Sequence, residues 1–273
     1  MSSSSLTKQD FQKFRDYLET VCGILLGDNK DYLVTSRLRG IIKELEIDTV
    51  GQLVPMIERD TKLRERVVDA MTTNETLWFR DAHPFTILEE KILPELCEKQ
   101  KSLDLWCAAS STGQEPYSIS MIIEEFKKKN PGKLSSEKMV ATDISPTALE
   151  AARKGEYDQL ALGRGMPKER LIQYFDEIEG GSWKVKSEIS RRVQFRMLNL
   201  LHAYSLLGRF DVVFCRNVLI YFSSEVKQDI LTRIHGVLKP GGYLLLGASE
   251  ALNGLPDLYE MVHCHPGIIY RKK

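Results

Sequence analysis

Residues 103–117 read L-D-L-W-C-A-A-S-S-T-G-Q-E-P-Y, and the fold follows from how this stretch is parsed. Leu103, Leu105 and Cys107 alternate as in a short buried strand. The small residues Ala108 to Thr112, then Gly113, make a turn with almost no side-chain bulk. Pro116 suits the first turn of a following helix, where its missing N–H would have no partner anyway. A strand, a tight small-residue turn and a helix start bring backbone close to a ligand. G-x-G-x-x-G is absent, which excludes a dinucleotide fingerprint, and no Lys follows Gly113, which excludes a P-loop. Glu115 at the helix start repels a phosphate but accepts hydrogen bonds or faces a cation. A nucleotide-like, positively charged ligand without phosphate fits, and S-adenosylmethionine is such a ligand.

Composition narrows the class. The chain has 273 residues, enough for one large core and a small satellite domain. Its formal net charge is zero, so no bulk electrostatic term favours nucleic acid or an anionic membrane. No apolar run reaches the length of a membrane span, so no membrane insertion is expected, and the serine run 2–5 lacks a signal peptide's hydrophobic segment. Cys22, Cys97, Cys107, Cys215 and Cys264 are widely spaced, without C-x-x-C, and read as reduced cysteines of a cytoplasmic protein.

Outward from the central stretch, residues 1–72 read as an all-helical N-terminal domain. Thr7 and Asp10 form a capping-box-like start, and Phe11, Phe14, Leu18 and Val21 share a helical face. The run 33–45 repeats the pattern, with Arg37, Arg39 and Lys43 on its other faces. These charges are either ordinary solvated surface or a basic face that docks an acidic partner. Shorter helices are expected near 50–59 and 63–71. Residues 73–90 form a linker, T-N-E-T-L-W-F-R over 73–80, and a helix opened by Pro84. From 91 to 273 strands alternate with helices, which predicts an α/β fold with a doubly wound, mostly parallel sheet. Trp183 and Val185, then Val193, Phe195 and Met197, break that rhythm and predict a small antiparallel β insert at about 177–198.

In a doubly wound sheet the ligand lies beyond the carboxyl ends of the central strands. Those ends carry Ala108 to Glu115, then Asp143, placed to accept both ribose hydroxyls, and Arg216, Asn217 and Tyr221 after the run at 210–215. Asp143 also has a plain reading as a capping acid before Ser145-Pro146. Asn199, near the insert, is a weaker candidate alone. His263-Cys264-His265 finds no second Cys/His cluster, so no metal is expected. No G-x-S-x-G nucleophile elbow occurs.

Together these segments resemble the chemotaxis receptor glutamate O-methyltransferases, the CheR type, over nearly the whole chain. The matching pieces are T-T-N-E-T-L-W-F-R (72–80), W-C-A-A-S-S-T-G-Q-E-P-Y-S (106–118), A-T-D-I (141–144), N-L-L (199–201), F-C-R-N-V-L-I-Y-F (214–222) and L-K-P-G-G (238–242). The resemblance implies a class I methyltransferase domain, a helical N-terminal domain that recognises the receptor, and a β-subdomain. It implies S-adenosylmethionine contacts at Asn74, Thr76, Arg80, Glu115, Asp143, Asn199, Leu200, Arg216 and Asn217, with Gly113 in the loop. Arg80 and Tyr221 would lie nearest the methyl group. The implied substrates are glutamates on the cytoplasmic helices of methyl-accepting chemotaxis receptors. Members that tether to a receptor's C-terminal pentapeptide carry a longer Gly-rich hairpin loop with a nearby Arg. The segment 177–182 is short and acidic here, which counts against pentapeptide tethering but not against catalysis.

Rival readings fare worse on the same residues. A small-molecule methyltransferase would not need the Arg37/Arg39/Lys43 face. A nucleic-acid methyltransferase would carry an N-P-P-Y-type motif where Arg216-Asn217 stand. A catalytically silent S-adenosylmethionine-binding regulator would keep Glu115 and Asp143 but tend to lose Arg80 or Tyr221.

Overall fold

The computed structural model describes residues 6–252 and 254–273; the serine run 2–5 lies outside them. Four helices form the N-terminal unit: α1 (Lys8–Cys22), α2 (Asp31–Glu44), α3 (Val50–Arg59) and α4 (Thr61–Met71). Each start is fixed locally where the sequence offers an acceptor. Thr7 Oγ1 accepts from the Asp10 N–H (3.1 Å), and Thr49 and Gln52 complete a capping box. The apolar stripes meet in one core in which Phe14, Leu18, Val34, Leu38, Leu53 and Ile57 are fully buried.

The linker leads into α5 (His83–Ile87), a single π turn (Leu88–Ile92) and α6 (Leu93–Lys99). Pro94 has no N–H to offer Glu90, and the turn before it widens so that the Leu93 N–H bonds Leu88 O instead. Next come β1 (Ser102–Ala108), α7 (Gln114–Lys129), β2 (Ser136–Asp143) and α8 (Pro146–Lys154). Ser145 caps α8 at its N-terminus and Gly155, left-handed, closes it. A three-stranded antiparallel sheet follows, ordered β3 (Glu156–Tyr157), β5 (Trp183–Val185), β4 (Phe175–Glu177). Between its strands lie α9 (Gln159–Gly163) and α10 (Lys168–Tyr174), and α11 (Ser187–Ser190) follows. The chain then supplies β6 (Val193–Met197), β7 (Phe210–Cys215), α12 (Ser224–Val237), β8 (Leu238–Leu246), β9 (Tyr259–Cys264) and β10 (Gly267–Lys272).

The main sheet runs β6-β2-β1-β7-β8-β10-β9. The five strands from β6 to β8 pair in parallel, and β10 and β9 add antiparallel. Alternation along β1 sorts its side chains between two cores. Leu103, Leu105 and Cys107 join the core under α5 and α7, whereas Trp106 and Ala108 join the one under α12.

The sequence placed the insert too late in the chain. Val193-Phe195-Met197 is not part of it: β6 pairs with β2 from Met139↔Val193 to Asp143↔Met197, as an edge of the main sheet. Period-2 alternation reads the same in a half-covered parallel edge as in an antiparallel strand. The missing insert strand is β3, two residues directly after Gly155, too short to show any period. Among the described residues no helix is long and apolar enough to cross a membrane.

Candidate active site

From β1 the chain winds outward through β2 to β6; from β7 it winds the other way to β8. The strand order therefore reverses between β1 and β7, and a crevice opens beyond their carboxyl ends. A cleft of about 340 Å³ lies there. Its walls include Asn74, Thr76, Arg80, Glu115, Asp143, Asn199, Leu200, Arg216, Asn217 and Tyr221, residues that lie far apart in sequence. The helical unit closes it with Leu25, Leu26 and Lys30 from the α1–α2 loop and Leu33 and Arg37 from α2.

Asp143 ends β2 and is 7% exposed. Its Oδ2 accepts from the Ser111 N–H (2.7 Å) and its Oδ1 from the Ser145 N–H (2.9 Å). Each oxygen keeps a further lone pair for a ligand hydroxyl. Burial pushes its carboxyl above the usual carboxylate range, and the Ser145 and Ser111 N–H groups work against that rise. Asp143 thus also does the capping-type work its plain reading suggested.

Glu115 and Arg216 form the floor. Arg216 has a fully buried side chain; Nη1 donates to Glu115 Oε2 (2.6 Å), and Nη2 to Asp81 Oδ2 (2.8 Å) and Arg80 O (2.8 Å). The other Glu115 oxygen accepts from the Cys107 thiol (3.0 Å). The cation that Glu115 meets is therefore the chain's own. Burial, reinforced by Glu115, pushes the Cys107 thiol well up, and burial with Glu250 does the same to Cys215, so neither serves as a thiolate. The Nε–H of Arg216 is buried and unpartnered among the described residues.

Arg80 is the contrast. Its backbone carbonyl is held by Arg216, yet its guanidinium has no hydrogen bond or ion pair among the described residues and lines the cleft. The Tyr221 hydroxyl is likewise unpartnered there. The Tyr221 carbonyl, by comparison, accepts from the Leu25 N–H (2.8 Å) of the overlying loop.

The backbone around this cleft is strained in a consistent place. Phe79, Asp81, Ala82, Ala109, Ser111 and Asn217 all have positive φ; among the described non-glycine residues only Glu46 shares it. Such conformations cost of order 1–3 kcal/mol each and persist where surroundings over-determine them. At Asn217 the determinant is Glu250, whose carboxylate accepts from the N–H groups of Asn217 (2.7 Å), Leu219 (2.7 Å) and Gly247 (2.8 Å).

Some sequence candidates have other duties. Gly113 is not in the cleft wall: it starts α7 at φ 97, and a Cβ there would meet the Tyr157 hydroxyl at 2.9 Å. It serves the turn, because only glycine fits both the left-handed backbone and that approach. Asn199 lines the cleft but spends its amide on Val21 O (2.7 Å) and the Leu201 N–H (2.9 Å). Arg37 does not sit on an open basic face. Its guanidinium donates to Met71 O (2.6 Å), Thr72 O (2.8 Å) and Thr73 Oγ1 (3.0 Å), which ties α2 to the end of α4 and to the linker. Arg39 and Lys43 are exposed and lie outside the cleft. Missed altogether were Asp81, Glu250 and the leucine roof. Glu250 follows the carboxyl end of β8, so the rule that selected Asp143 reaches it too. Asp81 carries no such signal.

A buried carboxylate with free lone pairs, an orphan Arg216 Nε–H and an apolar roof over 340 Å³ match a nucleoside bearing a polar amino-acid tail. The fold and this site define the class, a methyltransferase domain that binds S-adenosylmethionine. The family model described as "CheR methyltransferase, SAM binding domain" matches residues 74–268, and "CheR methyltransferase, all-alpha domain" matches residues 9–72. The chain belongs to the CheR methyltransferase family. It is 59% identical to "Chemotaxis protein methyltransferase 1" of Pseudomonas aeruginosa, over 98% of this chain and 100% of that one. It is 57% identical to "Chemotaxis protein methyltransferase Cher2" of Pseudomonas putida and 50% to "Chemotaxis protein methyltransferase 1" of Vibrio cholerae, each over 100% of both chains.

Proposed function

We propose that the chain acts in the cytoplasm as a protein-glutamate O-methyltransferase of sensory adaptation, transferring methyl from S-adenosylmethionine to glutamates of methyl-accepting chemotaxis receptors. The observation that carries this reading is the Arg80 guanidinium, unpaired among the described residues, in a cleft that Tyr221 also lines and where Arg216 is already neutralised by Glu115 and Asp81. With no carboxylate of the described chain paired to it, Arg80 is available to a ligand carboxylate, and an incoming glutamate supplies one; the orphan Arg216 Nε–H remains for the cofactor's own amino-acid tail. The relatives' names support a chemotaxis role over the full length.

Asp143 would hold the ribose hydroxyls, with Asn74, Thr76, Leu200 and Asn217 lining the rest of the cofactor's length. Bound there, S-adenosylmethionine supplies an activated methyl group on a positively charged sulfur. The chain's own residues then need to deliver and orient a nucleophile. A glutamate, with a pKa of about 4.3, is already ionised at neutral pH, so no general base is required. Arg80 orients the carboxylate and Tyr221 is free to donate to its second oxygen. Tight pairing to Arg80 would hold the ground state, so its role is placement rather than strong binding. Both reacting charges disappear as the new bond forms, and the Leu25–Leu26 roof favours that loss by excluding water.

The test is transfer of labelled methyl from S-adenosylmethionine to receptor-containing membranes. The expected label is released by mild base, as an ester is, and is lost in Arg80→Ala. Label that survives base, or an active Arg80→Ala, would overturn the assignment.

A further inference from the structure

The linker between the two units is gripped in a way that its passive, polar composition does not explain. Trp78 is 1% exposed, and its indole is wedged into the small insert sheet. It meets Tyr157 of β3 edge-on at 4.8 Å (77°) and Phe175 of β4 at 5.4 Å (80°). The indole Nε1–H is buried without a partner among the described residues, so the ring is held by shape alone. The peptide groups are clamped as well. The Trp78 N–H donates to Arg164 O (3.1 Å), and Gly165, at φ +102, lets the 164–165 turn close on Trp78. A Cβ on Gly165 would stand 2.4 Å from the Trp78 carbonyl oxygen.

The next residues are fixed in turn. The Phe79 N–H donates to Ser118 Oγ of α7 (3.2 Å), and its ring lies beneath the Arg170 guanidinium (4.3 Å). The Arg80 carbonyl accepts from Arg216, and Asp81 pairs with it. From 78 to 81 every residue has a fixed point, and the Arg80 guanidinium has no partner among the described residues.

We infer that Trp78 and Gly165 are positioning residues for the methyl transfer, holding Arg80 in register through the wedge of the linker into the insert sheet. The inference rests on the proposed role of Arg80. It gives the insert sheet a part in the reaction that needs no partner docked upon it. The plain alternative is that Trp78 is one more core aromatic, whose loss alters stability and nothing else. Gly165 separates the two, because adding a methyl group there removes no core ring yet pushes on the Trp78 carbonyl. Upstream, Asn74 has its own anchors, since it donates to Ser145 Oγ (3.3 Å) and its carbonyl accepts from Ser111 Oγ (2.8 Å). The cofactor end of the linker should therefore stay put while the Arg80 end moves.

The experiment measures kcat on receptor membranes and the S-adenosylhomocysteine Kd by calorimetry, for the full-length chain and five variants. Gly165→Ala should lower kcat about 10- to 100-fold, the scale of a misplacement near 1 Å, with Kd changed less than about threefold. Gly181→Ala is the control: its φ is +75, but a Cβ there meets nothing within 4 Å, so it strains the insert without touching the linker. It should match wild type in both measurements. Trp78→Phe, which keeps a smaller aromatic wedge and gives up an unsatisfied donor, should hold kcat within about threefold, where Trp78→Ala loses it. Wild-type turnover in Gly165→Ala overturns the inference, as does a fall of kcat and cofactor affinity in equal proportion. Full activity in Arg80→Ala would instead bring down the reading of Arg80 beneath it, so the two failures are distinct.

Discussion

Asp143 does structural work on which its proposed ligand role would be built. It holds the Ser111 and Ser145 N–H groups, and with them the turn after β1 and the start of α8. Asp143→Ala would strand both donors and remove the acceptor for the ribose. The expected loss in S-adenosylhomocysteine affinity is on the order of 1–3 kcal/mol, and an unchanged Kd would sink the assignment. The raised carboxyl also predicts a pH dependence. Because the folded chain keeps the proton longer than the unfolded one, this group's contribution to stability declines as pH rises from the unfolded pKa through the folded one. On the proposed contact cofactor binding runs the opposite way, since ribose hydroxyls would donate to the ionised form. Affinity should fall as pH drops from neutrality through the raised pKa, and Asp143→Asn should flatten that profile in calorimetry. Asp143, Glu115 and Arg216 were legible because strand ends in an alternating α/β chain have a known destination. That Arg216 would spend its charge on Glu115 and Asp81 was not, because pairing across more than a hundred residues leaves no local pattern.

At the scale of elements the second helix divides its charges by duty. Arg37 caps the end of α4 through two carbonyls and reaches Thr73, while Arg39 and Lys43 stay in solvent. Helical periodicity puts all three off the apolar stripe but cannot say which of them finds a carbonyl on a neighbouring element. Arg37→Ala should cost about 1–2 kcal/mol, allowing for its partial exposure, and lower Tm by a few degrees. It should also weaken cofactor affinity, because the linker it holds carries Asn74 and Thr76. Arg39→Ala with Lys43→Ala tests the proposed receptor face. An acidic receptor helix should then show a raised KM and a weaker salt dependence, with Tm and cofactor Kd unchanged. Wild-type KM across a salt series would reduce that face to ordinary surface. The elements with strong periods (α1, α2, β1 and β7) stand where the sequence put them. β6 and β3 do not, because an exposed edge and a two-residue strand carry too little pattern to fix a partner.

At the scale of the molecule, the cofactor cleft belongs to both units. The Leu25 N–H bonds the Tyr221 carbonyl, and Asn199 donates to Val21 O (2.7 Å). Gly23 sits so close to Phe222 that a Cβ would be 2.7 Å from its ring. On the far side Asp69 of α4 accepts from Ser145 Oγ and from Thr147 Oγ1 (2.6 Å), next to the Asp143 turn. A ligand that fills this cleft therefore touches a roof supplied by the α1–α2 loop and a floor supplied by the sheet. Ligand at about 100 times its Kd adds about 2.7 kcal/mol to whatever must be intact for binding. If the roof is part of the binding-competent state, that stabilisation reaches the helical unit as well as the sheet. Saturating S-adenosylhomocysteine should then slow amide exchange at Leu25 and Leu26 as well as through 109–115. Protection confined to the sheet side, with the 24–26 amides exchanging as in the free chain, would show that the helical unit only rests beside the cleft. The Leu25 amide is the sharpest probe, because its acceptor is the carbonyl of Tyr221 and its release requires the roof to part from the residue proposed to face the substrate.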